Sequence, residues 1–335
     1  MEKHLLTGYA RWLATLLPAS ALLAATALPG DLYAQNYPTR PVRLIVPFAP
    51  GGGVDFMGRI IGQRLTEALG QAFVVDNRSG SGGMQGGEMG ARATPDGYTL
   101  LMGNNSTHGV AQSIDPKNTP YDTIRDFAPI TQIASAPHLL LGSMQMPAKT
   151  LKEFIDLAKA RPGQLNYGSS GKGSQTQMSM ELFKFVTKTN VVEIPYKGVG
   201  PSFTALIAGE IQVMFASTTG AMPHVKTGRL RSLGITSEKR SPLVPDMPTL
   251  GEQGVPGFEK GPWYALLAPA KTPPAIIALL NREVVKIVRM PDIQDKFAQQ
   301  GAEPVGGTAA ELGQVIQQEL AKWTRLVKDT GISVK

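Results

Sequence analysis

Short apolar runs alternate with stretches in which apolar residues recur every three or four positions, from residue 42 to the C-terminal region. Val42-Arg43-Leu44-Ile45-Val46 predicts a buried strand that runs into Pro47-Phe48-Ala49-Pro50-Gly51-Gly52-Gly53. From Val54 to Leu69 the spacing predicts a helix with Phe56, Ile60, Ile61, Leu65 and Leu69 on one face, stopped by Gly70. Ala72 to Val75 predicts a second strand, followed by the loop Gly80-Ser81-Gly82-Gly83 and a small-residue helix to Ala93. After the turn Pro95-Asp96-Gly97, Tyr98 to Met102 predicts a third strand.

The middle of the chain repeats the theme. A helix is expected over 151–160, a strand over 165–167, and the loop Ser169-Ser170-Gly171-Lys172-Gly173-Ser174 opens a helix to Thr187. Strands at 191–194, 211–215 and 230–235 surround a helix at 202–208, and the proline-rich stretch 242–262 reads as an irregular connection. The tail predicts helices at 274–289, 291–300 and 309–328, the last with Leu312, Val315, Ile316, Leu320, Trp323, Leu326 and Val327 as its buried stripe. This alternation implies an α/β fold with mainly parallel sheets, whose loops at the carboxyl ends of strands are where such folds bind ligands.

Residues 1–34 differ from the rest. A polar start with Lys3 and Arg11 precedes an apolar stretch from Trp12 to Leu28, and Ala27 or Ala34 offers a small residue for cleavage. This is the layout of an export signal, so the mature protein is expected in the periplasm. The segment holds two bases and two acids, so its removal leaves the net charge of +7 unchanged. No cysteine is present, which excludes disulfides, thiolate metal sites and cysteine nucleophiles. The basic residues are dispersed, with Lys239-Arg240 the only adjacent pair, so a nucleic-acid partner is not expected.

Three loops, 48–55, 79–84 and 169–174, share one physical design. Each leaves a strand through small residues and opens a helix, where unpaired N–H groups and the positive dipole end suit a carboxylate or phosphate. Nucleotide-binding motifs are absent: the third glycine of G-x-G-x-x-G is missing, and Gly171-Lys172 is not followed by Ser or Thr. Asp55 reads as a helix cap rather than a ligand contact. There is no G-x-S-x-G elbow and no H-x-x-x-H spacing, so neither a catalytic triad nor a metal site is expected. His138 sits in an apolar run and reads as a core residue. His108, in the polar run Asn104 to Gly109 after a strand, is a candidate ligand contact, and Trp263 and Tyr264 either line a cleft or pack.

Several segments carry a resemblance. Tyr37-Pro38-Thr39-Arg40-Pro41 through Phe48 with the following Gly-Gly-x-x-Asp, Val75-Asp76-Asn77-Arg78, Pro95-Asp96-Gly97-Tyr98-Thr99-Leu100-Leu101, Leu165-Asn166-Tyr167-Gly168-Ser169-Ser170-Gly171 and Ile194-Pro195-Tyr196-Lys197-Gly198 resemble the Bug-family solute receptors. These are the extracytoplasmic substrate-binding components associated with tripartite tricarboxylate transporters. The resemblance covers 37–334. It implies a two-lobed periplasmic-binding-protein fold, type II-like, with lobe 1 over 35–133 plus 262–335 and lobe 2 over 134–261. It also implies a monomer without cofactor that closes on a small carboxylate, namely a dicarboxylate, tricarboxylate or aromatic acid, and serves membrane transporter subunits. The matching ligand positions are Phe48, Ala49, Gly52, Gly53, Asp55, Gly82, Thr107, His108, Ser169, Ser170 and Tyr196. This chain departs from the family pattern at Ala216, where an acid is common, followed by Ser217. It departs again at Lys172, where an uncharged residue is usual, and at Gln177, where His is common. Ala216, Ser217 and Lys172 therefore join the expected site, with Lys172 meeting a second anionic group. Two other classes remain: a ligand sensor docking on a membrane signalling partner, and an exported hydrolase using Ser170 or Ser106 with His108.

Overall fold

The computed structural model describes residues 36–171, 173–237, 239–241, 244–258 and 263–330; the expected signal segment and Lys172 lie outside the described residues. The strands are β1 (Val42–Val46), β2 (Phe73–Asn77), β3 (Thr99–Asn104), β4 (Phe127–Ser135), β5 (His138–Ser143), β6 (Asn166–Ser169), β7 (Val192–Pro195), β8 (Val213–Ser217), β9 (Leu230–Ile235), β10 (Trp263–Pro269) and β11 (Glu303–Pro304). The helices are α1 (Gly53–Leu69), α2 (Met84–Ala91), α3 (Ala111–Ile114), α4 (Leu151–Ala160), α5 (Gln175–Thr187), α6 (Val199–Ala208), α7 (Thr218–Lys226), α8 (Pro274–Val288), α9 (Pro291–Gln299) and α10 (Ala309–Thr330).

Two sheets form, in the orders β11-β4-β10-β3-β1-β2 and β7-β6-β8-β5-β9. The chain passes from the first to the second through Ala136-Pro137 and is back in the first at Trp263. Both sheets are mixed but mainly parallel in strand direction, as expected: β1, β2, β3 and β4 run one way against β10 and β11, and β6, β7, β8 and β9 one way against β5. The strand–helix–strand units pair in parallel, β1 with β2 and β3, and β6 with β7 and β8. The crossing strands supply the antiparallel pairs: β10 enters between β3 and β4, and β5 between β8 and β9. A strand that returns from the other sheet runs against its neighbours, and only the full path of the chain determines that.

The inner strands β1, β3, β5, β8 and β10 are buried on both faces and read as largely apolar runs, whereas the edge strands β2 and β7 are partly exposed. In β1, Val42, Leu44 and Val46 pack with Met57, Ile61 and Leu65 of α1 and Leu280 and Val284 of α8, whereas Ile45 faces Leu312 and Ile316 of α10. In the second sheet, Leu140 and Phe215 meet Phe154 and Phe183 from α4 and α5, and Leu139, Leu141 and Met214 meet Phe203 and Leu206 of α6. Helix α1 ends where the spacing predicts, with Gly70 at φ 72° and its N–H bonded to Thr66 O.

Candidate functional site

The loop after β1 climbs over the end of its strand and starts α1 at Gly53. The N-cap is Gly52, and no side chain caps this end. Asp55 lies in the first turn, but its carboxylate turns back into the loop. Its Oδ2 accepts from Gly51 N at 3.1 Å and Arg59 Nε at 3.0 Å, and its Oδ1 accepts from Asn77 Nδ2 at 3.0 Å. Burial alone would raise the Asp55 carboxyl; the hydrogen bonds from Arg59, Asn77 and Gly51 outweigh it and hold it below the usual carboxylate range. Asp55 therefore shapes the loop, with its charge offset by Arg59.

Two further helices begin at the same place from the other sheet. In α5, the Ser174 side chain caps Gln177 N, and Gln175 N donates to Ser106 Oγ at 2.9 Å across the cleft. In α7, which follows β8 directly, Ser217 stands at the N-cap with no side-chain cap bond. The positive ends of α1, α5 and α7 thus converge on one cavity. Phe48, Gly52, Gly53, Val54, Asn104, Ser106 and Tyr264 line it from the first sheet's side, and His138, Ser170, Gln175, Thr176, Val199 and Ser217 from the second's. Among the described lining residues there is no Lys, Arg, Asp or Glu. His138 is 4% exposed, and burial pushes its pKa down to about 3, so the ring is neutral at pH 7 and is a hydrogen-bond group rather than a charge.

The cavity volume is about 40 Å³, room for water but not for an organic acid. The walls are held together by Ala49 N donating to Lys197 O at 3.3 Å, by Thr219 Oγ1 with Tyr264 OH at 3.2 Å, and by Thr218 Oγ1 donating to Gly301 O at 2.6 Å. Gly53 is needed at this closure, because a Cβ there would collide with Thr219 Oγ1, Ser217 Oγ and Tyr264 OH. An organic acid would not fit this volume unless the two sides stood further apart.

The family described as "Tripartite tricarboxylate transporter family receptor" matches residues 57–332. The protein BugT of Bordetella pertussis is 36% identical over 322 residues, covering 96% of this chain and 98% of its own. The chain belongs to this receptor family. Among solved structures, Rpa4515 of R. palustris with adipate is 35% identical with TM-score 0.85, covering 89% of this chain and 99% of that one. MatC of Rhodopseudomonas palustris with bound malate is 34% identical with TM-score 0.83, covering 87% and 100%. The Bug-family resemblance is thus borne out, and with it the α/β architecture of two helix-flanked sheets found in periplasmic binding proteins.

Of the residues expected at the receptor's site, Phe48, Gly52, Gly53, Ser170 and Ser217 line the cavity. Ala49 contributes its N–H to the bond with Lys197. Gly82 lies where the second glycine loop meets Gly171 from the other side, 3.1 Å from Gly82 N to where a Gly171 Cβ would stand. Thr107 holds the adjacent Asn104, its Oγ1 accepting from Asn104 N at 3.1 Å. His108 is fully buried, bonded to Thr107 Oγ1 at 2.9 Å and packed edge-on against Phe127. Ser169 Oγ donates to Glu193 Oε1 at 2.6 Å, Tyr196 packs among the apolar residues of the second sheet, and Ala216 sits in that sheet's core. Gln177 supports the loop from below: its Oε1 accepts from Gly173 N, and its Nε2 donates to Glu193 Oε2, both at 2.7 Å.

Six lining residues are not singled out by the sequence as ligand contacts: Val54, Asn104, His138, Gln175, Thr176 and Val199. Gln175 and Thr176 carried a usable signal, since they follow the third loop and open its helix. His138 had none, because an apolar run conceals which side chain faces the cleft.

Proposed function

We propose that this protein is an exported receptor that binds a small carboxylate, a dicarboxylate, tricarboxylate or aromatic acid, between two closing lobes and delivers it to tripartite transporter subunits in the membrane. The lobes are taken as 35–133 with 262–335, and 134–261, with the first crossing falling at Ala136-Pro137 because β4 continues to Ser135 in the first sheet. The observation that carries the reading is the convergence of three helix N-termini on a buried cavity without charged described lining residues. An anion there is stabilised by oriented amides, and among the described lining residues no lysine or arginine has to be desolvated to receive it. Phe48, Gly52, Gly53, Ser170 and Ser217 are the contacts we assign to the ligand, with Asn104, Ser106, His138 and Tyr264 beside them. Rpa4515 with adipate and MatC with malate support the ligand class. Among the described residues no helix is long and apolar enough to cross a membrane. The protein acts as a monomer without a cofactor.

The hydrolase alternative needs His108 at Ser106 or Ser170, but His108 Nδ1 pairs with Thr107 and its Nε2 is buried without a partner. A thermal-shift screen of the mature protein against mono-, di-, tricarboxylic and aromatic acids, followed by calorimetry, tests the receptor reading. An acid at 100 times its dissociation constant raises stability by about 2.7 kcal/mol, several degrees in melting temperature. Ester turnover with no acid bound would overturn the proposal.

A further inference from the structure

A second and larger cavity, of about 390 Å³, lies behind the first. Its inner wall is the face of α5 formed by Gln175, Ser179 and Leu182, and its outer wall comes from Phe258 and from Trp323 and Leu326 of α10. That volume is of the size that holds small organic ligands, whereas the inner cavity is not. Gln175 borders both cavities, and His138 on the inner side stands 3.5 Å from Ser179 Oγ on the outer. Gln175 is 8% exposed, yet its side-chain Oε1 is buried without a hydrogen-bond partner among the described residues. A buried amide oxygen of this kind is costly to leave unpaired, and turning the Gln175 side chain aside breaks no hydrogen bond of that oxygen among the described residues.

The outer wall is built to hold shape. Trp323 is 3% exposed and its Nε1 donates to Glu319 Oε2 at 3.1 Å, while Phe258 stacks on Phe215 with ring centroids 5.6 Å apart. Beyond the aromatic residues the mouth is polar, with Lys322, Arg325 and Asp329. From inside outward the order is oriented amides, an unpaired amide oxygen, an apolar chamber, and a charged mouth.

We infer that the two cavities are one binding site divided by Gln175, and that the ligand is a carboxylic acid with an extended alkyl or aromatic body. Its carboxylate sits at the three helix ends, its body passes Gln175, and its far end occupies the chamber against Leu182, Phe258 and Trp323. This rests on the carboxylate-receptor reading and sharpens it to a class longer than the four-carbon diacids.

Calorimetry with succinate, sebacate and para-hydroxycinnamate on the wild type and on Leu182→Trp tests the inference. Leu182 borders only the chamber, so the larger side chain fills the outer space alone. Sebacate or para-hydroxycinnamate is expected to bind at least about tenfold more tightly than succinate, from the apolar surface it buries. In Leu182→Trp that advantage is lost by about tenfold, while succinate changes less than about twofold. Leu326→Trp fills the same chamber from α10 and replaces the first variant if that one fails to fold. Succinate binding as tightly as the long acids, or both variants weakening all three acids equally, would overturn the inference. If no acid of any length binds, the receptor reading itself falls.

Discussion

Replacing Gly200 with alanine separates closure of the cleft from stability of the fold. Gly200 is the second residue of α6, on the second sheet's side, and an added Cβ would run into the carbonyl oxygen of Pro50 in the first glycine loop. The atom struck is backbone, and the loop around it is fixed by the Asp55 bonds, so relief comes from the two sides standing apart. Overpacking of this kind costs about 1–3 kcal/mol. Charged to the closed conformer alone, that weakens ligand affinity about 5- to 150-fold. Within α6 itself the change is favourable, since alanine exceeds glycine in helix propensity by up to about 1 kcal/mol. The open protein therefore should not lose stability. Calorimetric titration with the tightest-binding acid, paired with thermal melts without ligand, reads the two effects separately. Affinity within twofold of wild type, in a variant that folds normally, would refute the claim that Pro50 and Gly200 approach this closely in the bound protein.

Acidification provides a second handle. Burial holds the pKa values of His108 and His138 near about 3, against about 6.5 when unfolded, so below pH 6.5 the unfolded chain takes up protons that the folded one refuses. Stability is full above pH 6.5 and falls as pH drops toward 3, by up to about 1.4 kcal/mol per pH unit for each histidine. Burial lowers the pKa of His224 as well, so His108→Gln should remove about a third to a half of the slope of melting temperature against pH between 6.5 and 5; an unchanged slope would mean that His108 titrates normally. Gln177→Ala removes the support under Gly173 and leaves Glu193 short of a partner, and is expected to weaken acid binding about 3- to 30-fold, as one or two lost hydrogen bonds would. Full affinity by calorimetry would show that the loop holds itself. For a short dicarboxylate that does not reach the chamber, Lys172, between Gly171 and Gly173, is expected to meet the second carboxylate, so Lys172→Gln should weaken succinate at least about tenfold and spare a monocarboxylate. Equal affinities for both would remove Lys172 from the site.

Much of the cavity was legible in the chain because its main instrument is local. A strand that ends in Gly52-Gly53, or in Ser174 after Gly173, already determines where a helix starts and that its first amides face outward; no distant residue is needed for that. The same locality made α10 readable from its apolar stripe, Leu312 through Leu326. Locality also misled: Asp55, Thr107 and His108 lie in the right loops, yet their side chains turn inward to hold those loops in shape.

Three things belong to the tertiary structure. Strand direction in the mixed sheets follows from the crossings at 136–137 and before 263, not from any strand's own residues. The facing of His138 and Tyr264 toward the cavity depends on register with strands distant in the chain, β8 for His138 and β3 for Tyr264, since alternate positions of a strand look to opposite sides. The chamber behind Gln175 exists only because α10, more than a hundred residues later, packs across from α5, with Trp323 meeting Met178. The sequence alone therefore pointed to a class of chemistry, helix ends that suit an anion. The size of the space beside them is decided by packing between segments far apart in the chain, because volume is a property of walls, and local sequence carries only one wall at a time.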